Sequence, residues 1–229
     1  MARGFPGKGG VGGRRRQYSG TLGKVGNCQV AVTAALCTGV QAWCVGALLY
    51  LPLTWLTPAQ RARGKIPNTV VFQEKWRLAL TLLRQVRAAG IAITAVVADA
   101  EFGDCTTFRR TLHRPRLAYS VGVSSTLTVL HGTPAVTAAA RPTLAPGVVP
   151  VKLRDLAATV PARAWRKISW RNGTNAPWQA RFWACRVTPA HDWRRRVVAP
   201  EIWVLCQRDL GTKPETKYYF VHLPATASL

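Results

Sequence analysis

The spacing of hydrophobic and polar positions changes several times along this 229-residue chain. Two apolar runs come first, Gln29–Cys37 and Trp43–Leu51, divided near Thr38-Gly39. Short apolar runs bounded by turn residues predict two strands. From Glu74 to Ala89 the period becomes helical: Trp76, Ala79, Leu80, Leu83 and Val86 share one face, and Gly90 suits the left-handed position that ends a helix. Ile91–Ala98 is short, continuous and rich in β-branched residues, and it stops at Asp99. That pattern predicts a strand buried in a parallel sheet. Gly103 permits a turn, and Asp104 is expected to cap a helix over Cys105–Arg114. Beyond Pro115, Leu117–Val123 predicts another core strand. A helix leading into a strand is a crossover unit, so the first half reads as α/β.

The second half has a different rhythm. Residues 131–150 are rich in Pro, Ala, Thr and Gly and carry little periodicity. A meander of strands is then expected at Lys167–Arg171, Gln179–Thr188, Glu201–Gln207 and Lys217–Leu223, with turns at Asn172-Gly173 and Asp209–Pro214. The chain therefore reads as an α/β domain over 1–123 and a β-rich domain over 124–229 whose end returns toward the first. Residues 1–16 are Gly- and Arg-rich and predict no element, and 57–65 reads as a polar basic segment.

Charge narrows the class of partner. There are 32 Lys and Arg against nine Asp and Glu, a net charge of +23. A surplus this large favours polyanions, nucleic acid first and an anionic membrane second. Hydrophobic residues make up 48% of the chain, which argues for a folded core over disorder. A membrane-associated reading rests on Val30–Leu53, where no charge occurs, but Thr, Gly, Gln and Pro interrupt it and two strands explain it better. The N-terminal residues lack the apolar segment of a signal peptide. The six cysteines form no Cys-x-x-Cys pair and mostly sit in apolar runs, so they are expected to be reduced core residues of a cytoplasmic protein.

Two stretches are candidates for function. Asp99 stands where an α/β sheet places its chemistry, just past the carboxyl end of a strand, with Glu101 and Asp104 close behind. Such residues also punctuate strands and cap helices. For nucleic acid, Arg14, Arg15 and Arg16 can meet phosphates. So can Arg171 and the Arg194-Arg195-Arg196 run, in a region where Trp and Arg interleave. Most of the Trp residues there are expected to fill a β core; Trp170, beside Arg171 at an Asn-Gly turn, is the one expected to stack on an unpaired base.

Several segments together resemble the DDE transposases of bacterial insertion sequences. Val97-Ala98-Asp99-Ala100-Glu101-Phe102-Gly103-Asp104 resembles the segment around the family's second catalytic aspartate. Gly4-Phe5-Pro6-Gly7-Lys8-Gly9, Arg16-Gln17-Tyr18-Ser19-Gly20, Leu49-Tyr50-Leu51-Pro52, Trp170-Arg171-Asn172-Gly173-Thr174 and Leu223-Pro224-Ala225 are similar to other words of the family, so the resemblance spans nearly the whole chain. It implies an RNase H-like core with a β-rich insertion, DNA cleavage and strand transfer, DNA as partner (transposon ends and target), no membrane, a bacterial cytoplasmic location and a homo-oligomer in the full-length enzyme. It also implies Mg²⁺ or Mn²⁺ held by three acids, with Asp99 as catalytic residue and metal ligand. Hard cations of this kind take oxygen ligands, and two of them clamp the attacking and leaving oxygens. The other two acids are not matched: Met1-Ala2-Arg3 stands where the family has its first aspartate, and its glutamate would follow the Leu223-Pro224-Ala225 segment. The resemblance therefore implies an incomplete core. The expectations are a transposase fragment inactive by itself, with flanking DNA encoding the missing acids, or alternatively a non-catalytic basic nucleic-acid-binding module.

Overall fold

The computed structural model describes residues 2–6, 15–19, 24–39, 41–114, 117–131, 144, 147–172, 177–190 and 200–223. The chain divides into two compact units, Met1–Ile93 and Thr94–Leu229.

In the first unit the long strand β3 (Lys24–Cys37) is central. Strands β1 (Ala2–Pro6), β2 (Arg15–Ser19) and β4 (Ala42–Tyr50) all pair with it antiparallel. The two predicted strands are thus present as β3 and β4, while β1 and β2 arise in a segment where composition predicted no element. Val30–Leu53, the stretch behind the membrane reading, is largely these two strands, and no helix among the described residues is long and apolar enough to cross a membrane.

Helix α1 (Pro58–Gly64) replaces the expected polar segment. Proline fits its first turn, where the missing N–H costs nothing. Arg61 explains its persistence despite a short length. Its guanidinium donates to three backbone carbonyls, Leu56 at 3.0 Å, Pro67 at 2.7 Å and Val70 at 2.7 Å, and so ties the helix to the chain on both sides. Helix α2 (Lys75–Ala88) packs on β3 and β4. Its buried stripe is Leu78, Leu82 and Val86, and Cys28, Val30 and Val32 of β3 are buried with it in the unit's core. The expected face shares only Val86 with it. This helix is apolar on more than one side, and the sheet selects the stripe whose spacing of four residues stacks side chains directly along it. Gly90, at φ 78°, takes the left-handed position expected of it.

The second unit is one mixed sheet with helices. Strand β5 (Ala95–Ala98) runs parallel to β6 (Ala118–Val123). The other strands are β7 (Thr128–His131), β8 (Val151–Lys152), β9 (Arg166–Asn172), β10 (Pro177–Pro189), β11 (Ile202–Arg208) and β12 (Thr216–His222), all paired antiparallel. The order is β5-β6-β12-β11-β10-β7-β8, with β9 also paired to β10. The four strands expected in the second half are therefore correct to within two residues at their ends. The expected boundary after Val123 falls inside this unit. Because β6 pairs with β12, residues on both sides of Ser124 share one sheet.

Helices α3 (Ala100–Gly103), α4 (Thr106–His113) and α5 (Leu153–Ala158) complete the unit. Its core includes Phe102, Phe108, Leu112, Val121, Val187, Val204 and Phe220. Two cysteine expectations part ways here. Cys28 and Cys206 are buried, but Cys37 and Cys44 are exposed, because the apolar strands that carry them are only half covered. Burial pushes the Cys185 thiol up to about 11 and the Cys206 thiol up to about 12, so both stay protonated and pack as small apolar groups.

Candidate functional site

Strand β5 sits at one end of the sheet order, and among the described residues its one partner is β6. Only Val96 of the strand is buried, and Val97 is 81% exposed. The prediction of a strand buried on both faces is corrected accordingly: a continuous apolar run reads as buried, but an edge position leaves alternate residues open. The predicted start is also early, since the strand begins at Ala95 instead of Ile91.

Asp99 follows β5 directly and is exposed at the carboxyl end of the strand, where the sequence placed it. Its backbone is extended, and its Oδ1 accepts from the N–H of Glu101 at 3.1 Å, which makes it the N-cap of α3. The cap and the candidate role coexist, because a carboxylate has lone pairs on both oxygens. Asp104 does not cap α4. That helix starts one residue later, with Cys105 at the N-cap position, and the Asp104 Oδ1 instead accepts from the N–H of Ser124 at 2.8 Å. The turn after α3 is thereby fastened to the end of β6. Glu101 is exposed on α3.

Two glycines let α3 lie on the sheet. A Cβ on Gly103 would collide with the carbonyl oxygen of Gly122, and one on Gly122 would stand 3.0 Å from the Ala100 nitrogen and 3.3 Å from the Asp99 carbonyl carbon. Backbone therefore meets backbone directly beside Asp99. Beneath the turn lies Arg109, 2% exposed. It donates to the Gly103 carbonyl and to Thr106 Oγ1 at 3.0 Å, and its guanidinium lies 5.4 Å from the centre of the Phe220 ring. Arg109 was not singled out in the sequence, although one signal was present: it falls on the apolar stripe of α4, between Phe108 and Leu112.

The second candidate region is the hairpin of β9 and β10. Every residue from Arg166 to Arg171 is exposed, so this arm is open on both faces. Register places Arg171 opposite Trp178, with a bulge between Trp178 and Gln179. Trp170 and Trp178 are 47% and 54% exposed and meet edge to face, with ring centres 6.4 Å apart. Trp170 also touches Phe182, at 5.5 Å, and the Arg171 guanidinium lies 5.6 Å from the centre of the Trp178 ring. Arg166, Lys167 and Arg181 complete a basic surface without an acid on either strand. The expectation that most Trp residues fill the core holds for Trp165, which is buried, and fails for Trp178. Strand alternation could not reveal Trp178, because the register and the bulge between Trp178 and Gln179 decide which residues of β10 face Trp170 and Arg171.

The remaining predicted contacts divide. Arg15 and Arg16 open β2, while Arg14 and Arg194-Arg195-Arg196 lie outside the described residues.

The sequence profile of DDE superfamily endonucleases matches residues 8–177. The chain belongs to that family. No curated protein matches it. Endonucleases of this superfamily act on nucleic acid and generally use divalent metal ions, and the mixed α/β fold with its large mixed sheet is compatible with an RNase H-like core. Among the described residues, no three His, Cys, Asp or Glu side chains are grouped to hold a metal ion. Near Asp99, Asp104 is committed to Ser124 and Glu101 rides on the exposed side of α3. The described donors of this endonuclease-family chain thus offer one well-placed carboxylate, which does not fit a two-metal site. Mg²⁺ holds its water tightly, and a lone carboxylate binds it weakly.

Proposed function

We propose that the chain is part of an insertion-sequence transposase of the bacterial cytoplasm that binds DNA and does not cleave it unaided. In this reading residues 1–123 correspond to a partial RNase H-like core, residues 124–229 to a β-rich insertion, and the full-length enzyme works as a homo-oligomer on transposon ends and target. Asp99 is one carboxylate of the family's Mg²⁺ or Mn²⁺ site. The DNA contacts are Trp170 and Arg171, with Arg14, Arg15, Arg16 and Arg194, Arg195, Arg196 adding phosphate contacts. The observation that carries the reading is the position of Asp99: it follows the parallel strand directly, inside the segment matched by the endonuclease profile. The acid inventory supports the lack of cleavage. No acidic residue precedes Glu74, so β1 to β4 offer no carboxylate to partner Asp99. The same inventory favours the second reading, a stand-alone basic nucleic-acid-binding module without chemistry.

A binding and nicking assay tests this. The purified chain is expected to bind DNA with steep salt dependence and to leave a supercoiled plasmid intact in Mg²⁺ or Mn²⁺. Replacing Trp170 and Trp178 by Ala removes two stacking surfaces, each worth about 1–3 kcal/mol per base, and is expected to weaken single-stranded DNA most. Nicking that disappears in Asp99→Ala would show that other carboxylates complete the site. Salt-insensitive binding would remove the nucleic-acid reading.

A further inference from the structure

Charge in the first unit is segregated. The paired segments of β3 and β4 from Gln29 to Tyr50 carry no charged side chain, whereas α2 carries Lys75, Arg77, Arg84 and Arg87. The sole acid in residues 1–93 is Glu74. Helical geometry puts Arg77, Arg84 and Arg87 on the side of α2 away from the buried Leu78, Leu82 and Val86. All three are exposed, and Arg77 and Arg87 stand ten helical steps apart, about 15 Å.

We propose that this arginine face of α2 is a second DNA contact, one that grips the phosphate backbone of a duplex and is separate in chemistry from the β9–β10 hairpin. The inference rests on DNA being the partner. The hairpin presents two half-exposed indole rings, Trp170 and Trp178, beside its cations, whereas the three arginines of the α2 face present guanidinium groups. The Arg77 guanidinium covers the Trp76 ring at 4.5 Å, so charge and not an open ring is displayed. The local competitor is weak. Glu74 meets Arg77 at 3.2 Å with both side chains more than half exposed, and exposed pairs contribute at most ~1 kcal/mol. Among the described residues Arg84 bonds to a neutral partner, Thr81 Oγ1 at 3.0 Å. Three guanidiniums over this length match one duplex strand, whose phosphates advance about 3.4 Å each along the axis. Arg61 is not part of the surface, because its donors are spent on Leu56, Pro67 and Val70.

The test is fluorescence anisotropy of the full chain with a fluorophore-labelled duplex of arbitrary sequence, titrated at several salt concentrations. The triple variant Arg77→Gln/Arg84→Gln/Arg87→Gln is expected to flatten the log–log salt slope by roughly 2.7, at about 0.9 per phosphate contact. That corresponds to about a 40-fold smaller loss of affinity between about 50 mM and about 200 mM salt. A charge-matched control, Arg154→Gln/Arg163→Gln/Lys213→Gln, removes three exposed cations from the other unit and is expected to keep the slope. The triple Lys variant of α2 keeps the charges and should keep the slope as well. Should the three Gln changes disturb folding, Arg84→Gln alone is expected to lower the slope by about 0.9. An unchanged slope in the α2 Gln variants, or an equal fall in the control, overturns the α2 contact while leaving DNA binding itself in place. Failure of the unaltered chain to bind any DNA overturns the DNA reading on which it rests.

Discussion

Around Asp99, single residues decide the geometry. The Asp99 cap, the Asp104–Ser124 bond and the buried Arg109 guanidinium all converge on a turn of six residues. The Gly103–Gly122 approach leaves no room for a side chain there. Gly103→Ala must push backbone against backbone, and overpacking of this kind costs about 1–3 kcal/mol. Gly39 offers the comparison, because a Cβ there meets nothing within 4 Å. In urea denaturation the midpoint of Gly103→Ala is expected to fall clearly below that of Gly39→Ala. Equal midpoints would mean that the α3 turn is not fixed by this approach.

Among the elements, the helix α4 lies against the sheet through a ring cluster. His113 of α4 and His222 of β12 have ring centres 4.2 Å apart, and Tyr119 of β6 lies 5.5 Å from His222. Burial first, then the charges of His113 and Arg186, hold the His222 imidazole below its usual value. The folded state thus favours neutral His222. Its stabilisation is complete above the unfolded value near ~6.5 and is lost as the pH falls below it, because the unfolded chain takes up the proton more readily. Stability measured from about pH 7.5 down to about pH 5.5 is therefore expected to decline, and His222→Gln should flatten that part of the profile. A decline that is unchanged in the variant would place its origin in other groups. Strand β9 is the contrasting element: Arg166–Arg171 are all exposed, so this arm is available to a ligand, while β10 beside it buries Ala180 and Val187 in the core.

For the whole molecule, the net charge of +23 sets the electrostatics. Few acids are present to offset it, and three of those described each meet one arginine: Glu74 with Arg77, Asp155 with Arg154, and Glu201 with Arg186. Mutual repulsion of the remaining cations opposes compaction, and salt screens it over a Debye length that shrinks from roughly 10 Å at 0.1 M to about 3 Å at 1 M. Raising NaCl is therefore expected to raise the melting temperature while it weakens DNA binding. A melting temperature that falls with salt would mean that attractive pairs outweigh this repulsion.

Hydrophobic period alone determined most of the strands and the long helix. Trp43–Leu51, Glu74–Ala89 and the four strands of the second half match the structure closely, and Gln29–Cys37 is the later part of a strand that begins at Lys24, because backbone periodicity is written locally in side-chain alternation. Composition likewise determined the class of partner to test, since nine acids cannot neutralise 32 Lys and Arg side chains wherever they fall. Tertiary structure decided what depends on neighbours distant in the chain. Pairing with β3 made strands of β1 and β2, three carbonyls around Arg61 stabilised α1, and contact with the sheet chose Leu78, Leu82 and Val86 over the expected stripe of α2. It also moved Asp104 from a helix cap to Ser124 and brought Trp178 beside Trp170. Each of these outcomes is set by a register or an approach between segments, and local spacing carries no record of which segment will be the partner.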